Sequence, residues 1–67
     1  MRSKFTIDEV SQMLDMKPSE VESELEDGYL GYTFDNGEKK VTLYDLEKYM
    51  GAERTREITQ EFLQQNS

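Results

Sequence analysis

The chain has 67 residues, with 8 basic and 15 acidic side chains, a net charge of −7, and neither cysteine nor histidine. That bounds it to one small domain, excludes disulfide staples and thiolate chemistry, and removes the usual zinc ligand and the usual general base near neutral pH. No apolar run approaches the roughly 18 residues of a membrane span, and MRSKFTIDEV lacks the apolar centre of a signal peptide, so the expectation is a cytoplasmic chain with no membrane partner.

Thr6 followed by Glu9 is a capping box, and Ile7, Val10, Met13 and Leu14 recur at helical spacing, which predicts a first helix over 6–14. Asp15-Met16-Lys17 then makes a short turn. A second helix opens with Pro18 in its first position, or with Ser19 as cap and Glu22 three residues on, and runs to Asp27. Val21 and Leu25 are its inward pair, and Gly28 supplies a left-handed end. Two short helices joined by about three residues make a helix-turn-helix unit.

YLGYTF and EKKVTL flank Asn36-Gly37, a strong signal for a two-stranded hairpin. Strict alternation puts Leu30, Tyr32 and Phe34 on one face, joined by Val41 and Leu43 from the return strand. The aromatics Tyr29, Tyr32, Phe34 and Tyr44 are expected to pack the hairpin onto the helices rather than stack on bases. Thr42 and Asp45 form an acidic capping box for a third helix over 43–50, ending at Gly51.

Residues 52–67 form a C-terminal helix, either continuous with the third or separate, whose QQNS end is expected to fray. Its apolar stripe is Ile58, Phe62 and Leu63. That stripe either docks on residues 1–51 or pairs with a second copy as a homodimer.

This order, carried by FTIDEVSQMLDMKPSEVESELEDGYLGYTFDNGEKKVTLYDLEKYMG, resembles the winged helix-turn-helix of the MerR and phage-excisionase class. The matching features are the Thr-capped first helix ending in Leu14, the ending Asp27-Gly28-Tyr29-Leu30, the Asn36–Lys40 wing, and Asp45-Leu46 opening the third helix. The resemblance implies a mainly α fold with a two-stranded β wing and an added C-terminal helix. It also implies DNA binding, with the second helix in the major groove and the wing on the backbone.

The charge map argues differently. Residues 18–35 hold Glu20, Glu22, Glu24, Glu26, Asp27 and Asp35 with no base, so six of the seven net negative charges lie there. With Val21 and Leu25 inward, the outward positions are Ser19, Glu22, Ser23 and Glu26. Base-reading helices favour donors at such positions, and affinity for DNA comes mostly from cations that neutralise phosphates. Only Lys39, Lys40, Arg2 and Lys4 fit that role, and the two wing lysines also read as ordinary solubilising residues of a hairpin edge.

The leading expectation is therefore a non-enzymatic regulatory protein of transcription or of phage and mobile-element DNA transactions. A protein partner would be bound through Glu22, Glu26, Asp27 and Tyr29. The competing reading is direct DNA binding as a dimer through Ser19, Glu22, Ser23, Lys39 and Lys40, with Glu26 near the bases. A third is a purely structural module, its acidic helix simply solvated. Catalysis has no second type of functional group beside the carboxylates. Asp35-Asn36-Gly37-Glu38 fails as a calcium loop because Tyr32 stands where an acid is needed. No metal or cofactor is expected.

Overall fold

The computed structural model describes residues 2–65. Strand β1 (Lys4–Thr6) leads into helix α1 (Ile7–Leu14), which is followed by α2 (Pro18–Glu26), strands β2 (Thr33–Asp35) and β3 (Glu38–Thr42), and helices α3 (Leu43–Met50) and α4 (Ala52–Gln65). The strands form one antiparallel sheet in the order β1-β3-β2. The architecture is α+β and mostly helical. No helix among the described residues is long and apolar enough to cross a membrane.

The local signals set most boundaries. Thr6 caps α1: its hydroxyl accepts from the Glu9 amide at 3.1 Å, and the Glu9 carboxylate accepts from the Thr6 amide at 2.9 Å. Thr42 and Asp45 repeat the device at α3, at 3.1 and 3.0 Å. Each such cap stabilises by about 1 kcal/mol. Asp15 ends α1 in the left-handed conformation (φ 54°, ψ 46°). For α2, Pro18 takes the first position, while Lys17 rather than Ser19 is the cap, its amide donating to Glu20 at 2.9 Å.

Each element except β2 sends at least one side chain into a single core. These are Phe5 from β1, Val10 and Met13 from α1, Val21 and Leu25 from α2, Val41 from β3, Leu46 from α3 and Phe62 from α4, joined by Leu30 from the loop before β2. Helix α4 lies across α1 and α3. Its Phe62 ring meets Phe5 edge-on, 6.0 Å between centroids at 84°.

Three expectations need correction. First, the wing is not a free two-stranded hairpin. β1 pairs with β3 through Lys4–Thr42, Phe5–Val41 and Thr6–Lys40, making a third strand. KFT is too short for alternation to reveal it, and only the wholly buried Phe5 marks it.

Second, Leu30, Tyr32 and Phe34 do not share a buried face: Leu30 is buried, but Tyr32 and Phe34 are exposed, as are Tyr29 and Tyr44. Residues 30–32 are not strand. At Gly31 the chain presses against α3, where a Cβ would sit 2.7 Å from the Asp45 carboxylate that caps that helix. Only after this contact does β2 begin, beyond the reach of the core.

Third, helix α4 does not fray from Gln64, and of the two expected readings of its apolar stripe docking is the one seen. Phe62 is 5% exposed, with Ile58 and Leu63 packed around the same cluster, so Phe62 is not a free contact for a second copy. Gly51 (φ 89°) separates α3 from α4. Gln64 and Gln65 are helical rather than frayed, and Asn66 and Ser67 lie outside the described residues.

A buried aromatic cut back to alanine usually costs about 3–5 kcal/mol, most of the stability of a domain this small. Phe62→Ala should therefore shift the urea midpoint strongly downward. An unchanged midpoint would mean that α4 does not close the core.

Candidate functional site

The outward surface of α2 is built by its core contacts. Val21 and Leu25 are buried, which leaves Ser19, Glu22, Ser23 and Glu26 exposed, with Asp27 and Tyr29 exposed beyond the helix end. Every side chain that the sequence offered for partner or DNA contact on α2 thus sits on one accessible face.

The acids of α2 are not equivalent. Glu20 caps the helix start at the Lys17 amide. Glu24 is half-buried and accepts a hydrogen bond from the Tyr49 hydroxyl of α3 at 2.9 Å. Burial first, and then the bond to Glu24, raise the Tyr49 hydroxyl above its ordinary value of 10.0, so it stays a donor throughout the physiological range. This bond ties α2 to α3. Glu22 lies 3.9 Å from the Lys39 ammonium of β3. Among the described residues, Glu26 and Asp27 make no side-chain hydrogen bond or ion pair. The Ser23 hydroxyl donates to the Ser19 carbonyl at 3.1 Å, so it is already satisfied along the helix.

The four cations that the sequence offered to nucleic acid all face carboxylates. Arg2 binds Glu9 at 2.6 Å, Lys4 lies 3.9 Å from Asp35, Lys39 lies 3.9 Å from Glu22, and Lys40 lies 3.7 Å from Glu38. The three lysine pairs exceed hydrogen-bond length and are partly exposed, so each adds about 0–1 kcal/mol at most and weakens with salt. Their consequence is electrostatic: the positive charges of Lys4, Lys39 and Lys40 are offset where they stand.

Arg2 and Glu9 make the one short pair among these. The Arg2 guanidinium, more than the Thr6 amide that also donates to it, holds the Glu9 carboxyl below its usual 4.5, and Glu9 in turn raises Arg2. Arg2 also lies 5.0 Å over the Phe5 ring.

The hairpin contributes what sequence reading missed. A two-residue turn at Asn36 (φ 54°) and Gly37 (φ 80°) sets the register Asp35–Glu38, Phe34–Lys39 and Thr33–Lys40. Phe34 and Lys39 are cross-strand partners and share a face. Tyr32 and Phe34 meet edge-to-face at 5.6 Å and 81°, while the Lys39 ammonium sits 5.3 Å from the Tyr32 centroid. Counting outward from Asn36-Gly37, rather than onward from Leu30, pairs Phe34 with a lysine instead of the core. Beside this cluster an open cleft of about 380 Å³ is lined by Thr6, Ile7, Asp8, Glu22, Glu38 and Lys39.

Comparison with family models, curated proteins and solved structures gives no match. The function therefore has to be argued from this surface.

Because the folded chain holds the Glu9 carboxyl low, the Arg2 pair contributes its full stabilisation above about pH 4.5 and loses it as the pH falls through the depressed folded value. Glu9→Gln keeps an oxygen that can accept from the Thr6 amide but loses the charge. In urea titrations across pH, the variant should be less stable than the parent near neutrality, with the gap closing in acid. A gap independent of pH would show that the ion pair contributes nothing.

Proposed function

We propose that this chain is a small, non-enzymatic winged helix-turn-helix module that regulates transcription or mobile-element DNA transactions by binding a protein through the outward face of α2 and the adjoining hairpin. The winged helix-turn-helix reading rests on element order: a helix pair with a three-residue turn, then a hairpin with an Asn-Gly tip, then a capped helix. The added strand β1 and the docked α4 are compatible with it.

One observation carries the choice of a protein partner. Arg2, Lys4, Lys39 and Lys40 each already face a carboxylate, so a duplex would meet a reading helix of exposed acids with no uncompensated wing charge. Phosphate neutralisation is the main source of DNA affinity, and on this face it is missing. Exposed aromatics beside acids suit a protein interface, where aromatic anchors carry much of the binding energy. The partner surface would comprise Glu22, Glu26, Asp27 and Tyr29. Direct DNA reading through Ser19, Glu22, Ser23, Lys39 and Lys40 is the competing proposal, favoured only by the element order.

A titration and an affinity capture separate them. Against mixed-sequence duplex at about 50 mM salt, where electrostatic binding is strong, the protein should show no saturable binding. Affinity capture from host extract should recover a partner that the Glu22→Lys, Glu26→Lys double variant loses. Saturable duplex binding that Lys39→Glu and Lys40→Glu abolish would overturn the proposal, as would retention of every captured protein by the double variant.

A further inference from the structure

Lys39 stands where a partner's cation would be expected to bind. Its ammonium lies 3.9 Å from the Glu22 carboxylate on one side and 5.3 Å from the Tyr32 centroid on the other, while Phe34 buttresses Tyr32 edge-on at 5.6 Å. Two elements that share no backbone pairing, α2 and the hairpin, thus converge on one positive charge. The contact is loose, since 3.9 Å is too long for a hydrogen bond and Glu22 remains about half exposed. The neighbouring cleft is lined by the acids Asp8, Glu22 and Glu38 and by Lys39, and Glu38 also faces Lys40 at 3.7 Å. Tyr32 and Phe34 stay 40% and 63% exposed, an apolar area left open by the described residues.

We propose that Glu22, Tyr32 and Phe34 form a docking point for an arginine side chain on a basic segment of a protein partner, and that Lys39 is its internal competitor. The inference rests on the protein-binding reading above and names the chemistry of that partner.

Arginine fits better than lysine. Its planar guanidinium can lie on the Tyr32 ring while giving a carboxylate two parallel hydrogen bonds, whereas an ammonium acts as a point charge. Lys39 reaches both groups from its own strand and satisfies neither fully. An incoming guanidinium would displace it toward Glu38 and solvent. The cleft acids Asp8, Glu22 and Glu38, with Glu26 one turn further along α2, would then attract the further positive charges of a basic segment.

Titrating the intact protein with fluorescein-labelled octa-arginine, followed by anisotropy, tests this, with octalysine and a mixed-sequence duplex as comparison ligands. Octa-arginine should bind more tightly than octalysine. Tyr32→Leu keeps an apolar side chain but loses the ring, and should weaken binding about two- to five-fold, the range for a cation on an exposed aromatic face. Tyr32→Phe should retain it. Lys39→Met should tighten binding more than Lys48→Met, which removes the same charge from α3. All three positions are at least partly exposed, and far-UV circular dichroism would confirm that each variant keeps its helices.

If Tyr32→Leu is silent and Lys39→Met matches Lys48→Met, the docking point is wrong. In that event, loss of peptide binding in the Glu22→Lys, Glu26→Lys variant would leave the acidic-face reading standing, and its absence would remove both. Saturable duplex binding that Lys39→Met weakens would also overturn the inference, because it would make Lys39 a phosphate contact.

Discussion

Phe5 is the residue through which the layers of this protein meet. It is wholly buried; its strand position faces Val41, and its ring packs edge-on against Phe62. One contact fastens β1 to the sheet and the other fastens α4 to the sheet. Edge-to-face packing of this kind adds about 0.5–1.5 kcal/mol beyond simple burial. With no cysteine to form a disulfide across so short a chain, the cluster around Phe5 has to hold the hairpin at a defined angle to the helices.

The proposed binding surface depends on that fixed hairpin. Because β3 is held by β1 on one side, its outer half projects past the core in a set register, with Phe34 opposite Lys39. Helix α2 is fixed independently, by Val21 and Leu25 below and by the Tyr49–Glu24 bond to α3. Glu22 and Lys39 therefore face each other as a consequence of how two elements are anchored, and their own attraction is weak. The run of acids on α2 is also less uniform than it looks: Glu20 and Glu24 serve the fold, while Glu22, Glu26 and Asp27 stay exposed.

Much of this was legible in the sequence where local chemistry decides the outcome. Thr6 with Glu9, Thr42 with Asp45, Pro18 and Asn36-Gly37 each act over three or four residues, and α1, α3 and the turn lie where those signals put them. What was not legible depends on distant contacts. Strand β1 exists because Val41 lies 36 positions from Phe5 in sequence and beside it in space. Alternation carried through Gly31 puts Tyr32 and Phe34 inside, but the strand begins only at Thr33, after Gly31 comes close to Asp45, and both rings lie outside. The sequence leaves Phe62 open between a partner and the core, and only the packing of α4 against Phe5 decides for the core. Ser19, Glu22, Ser23 and Glu26 are exposed because burying Val21 and Leu25 turns the opposite side of α2 outward.

The central claim is that α2 and the hairpin act as one surface that receives positive charge. The most direct measurement is backbone amide shift mapping of the labelled protein during titration with octa-arginine. The account predicts shifts concentrated at Glu22, Glu26, Tyr29, Tyr32, Phe34 and Lys39, with the exposed acids Glu53, Glu57 and Glu61 of α4 little affected. Shifts spread over both regions alike would contradict it, because they would mean that the chain attracts cations only through its overall charge.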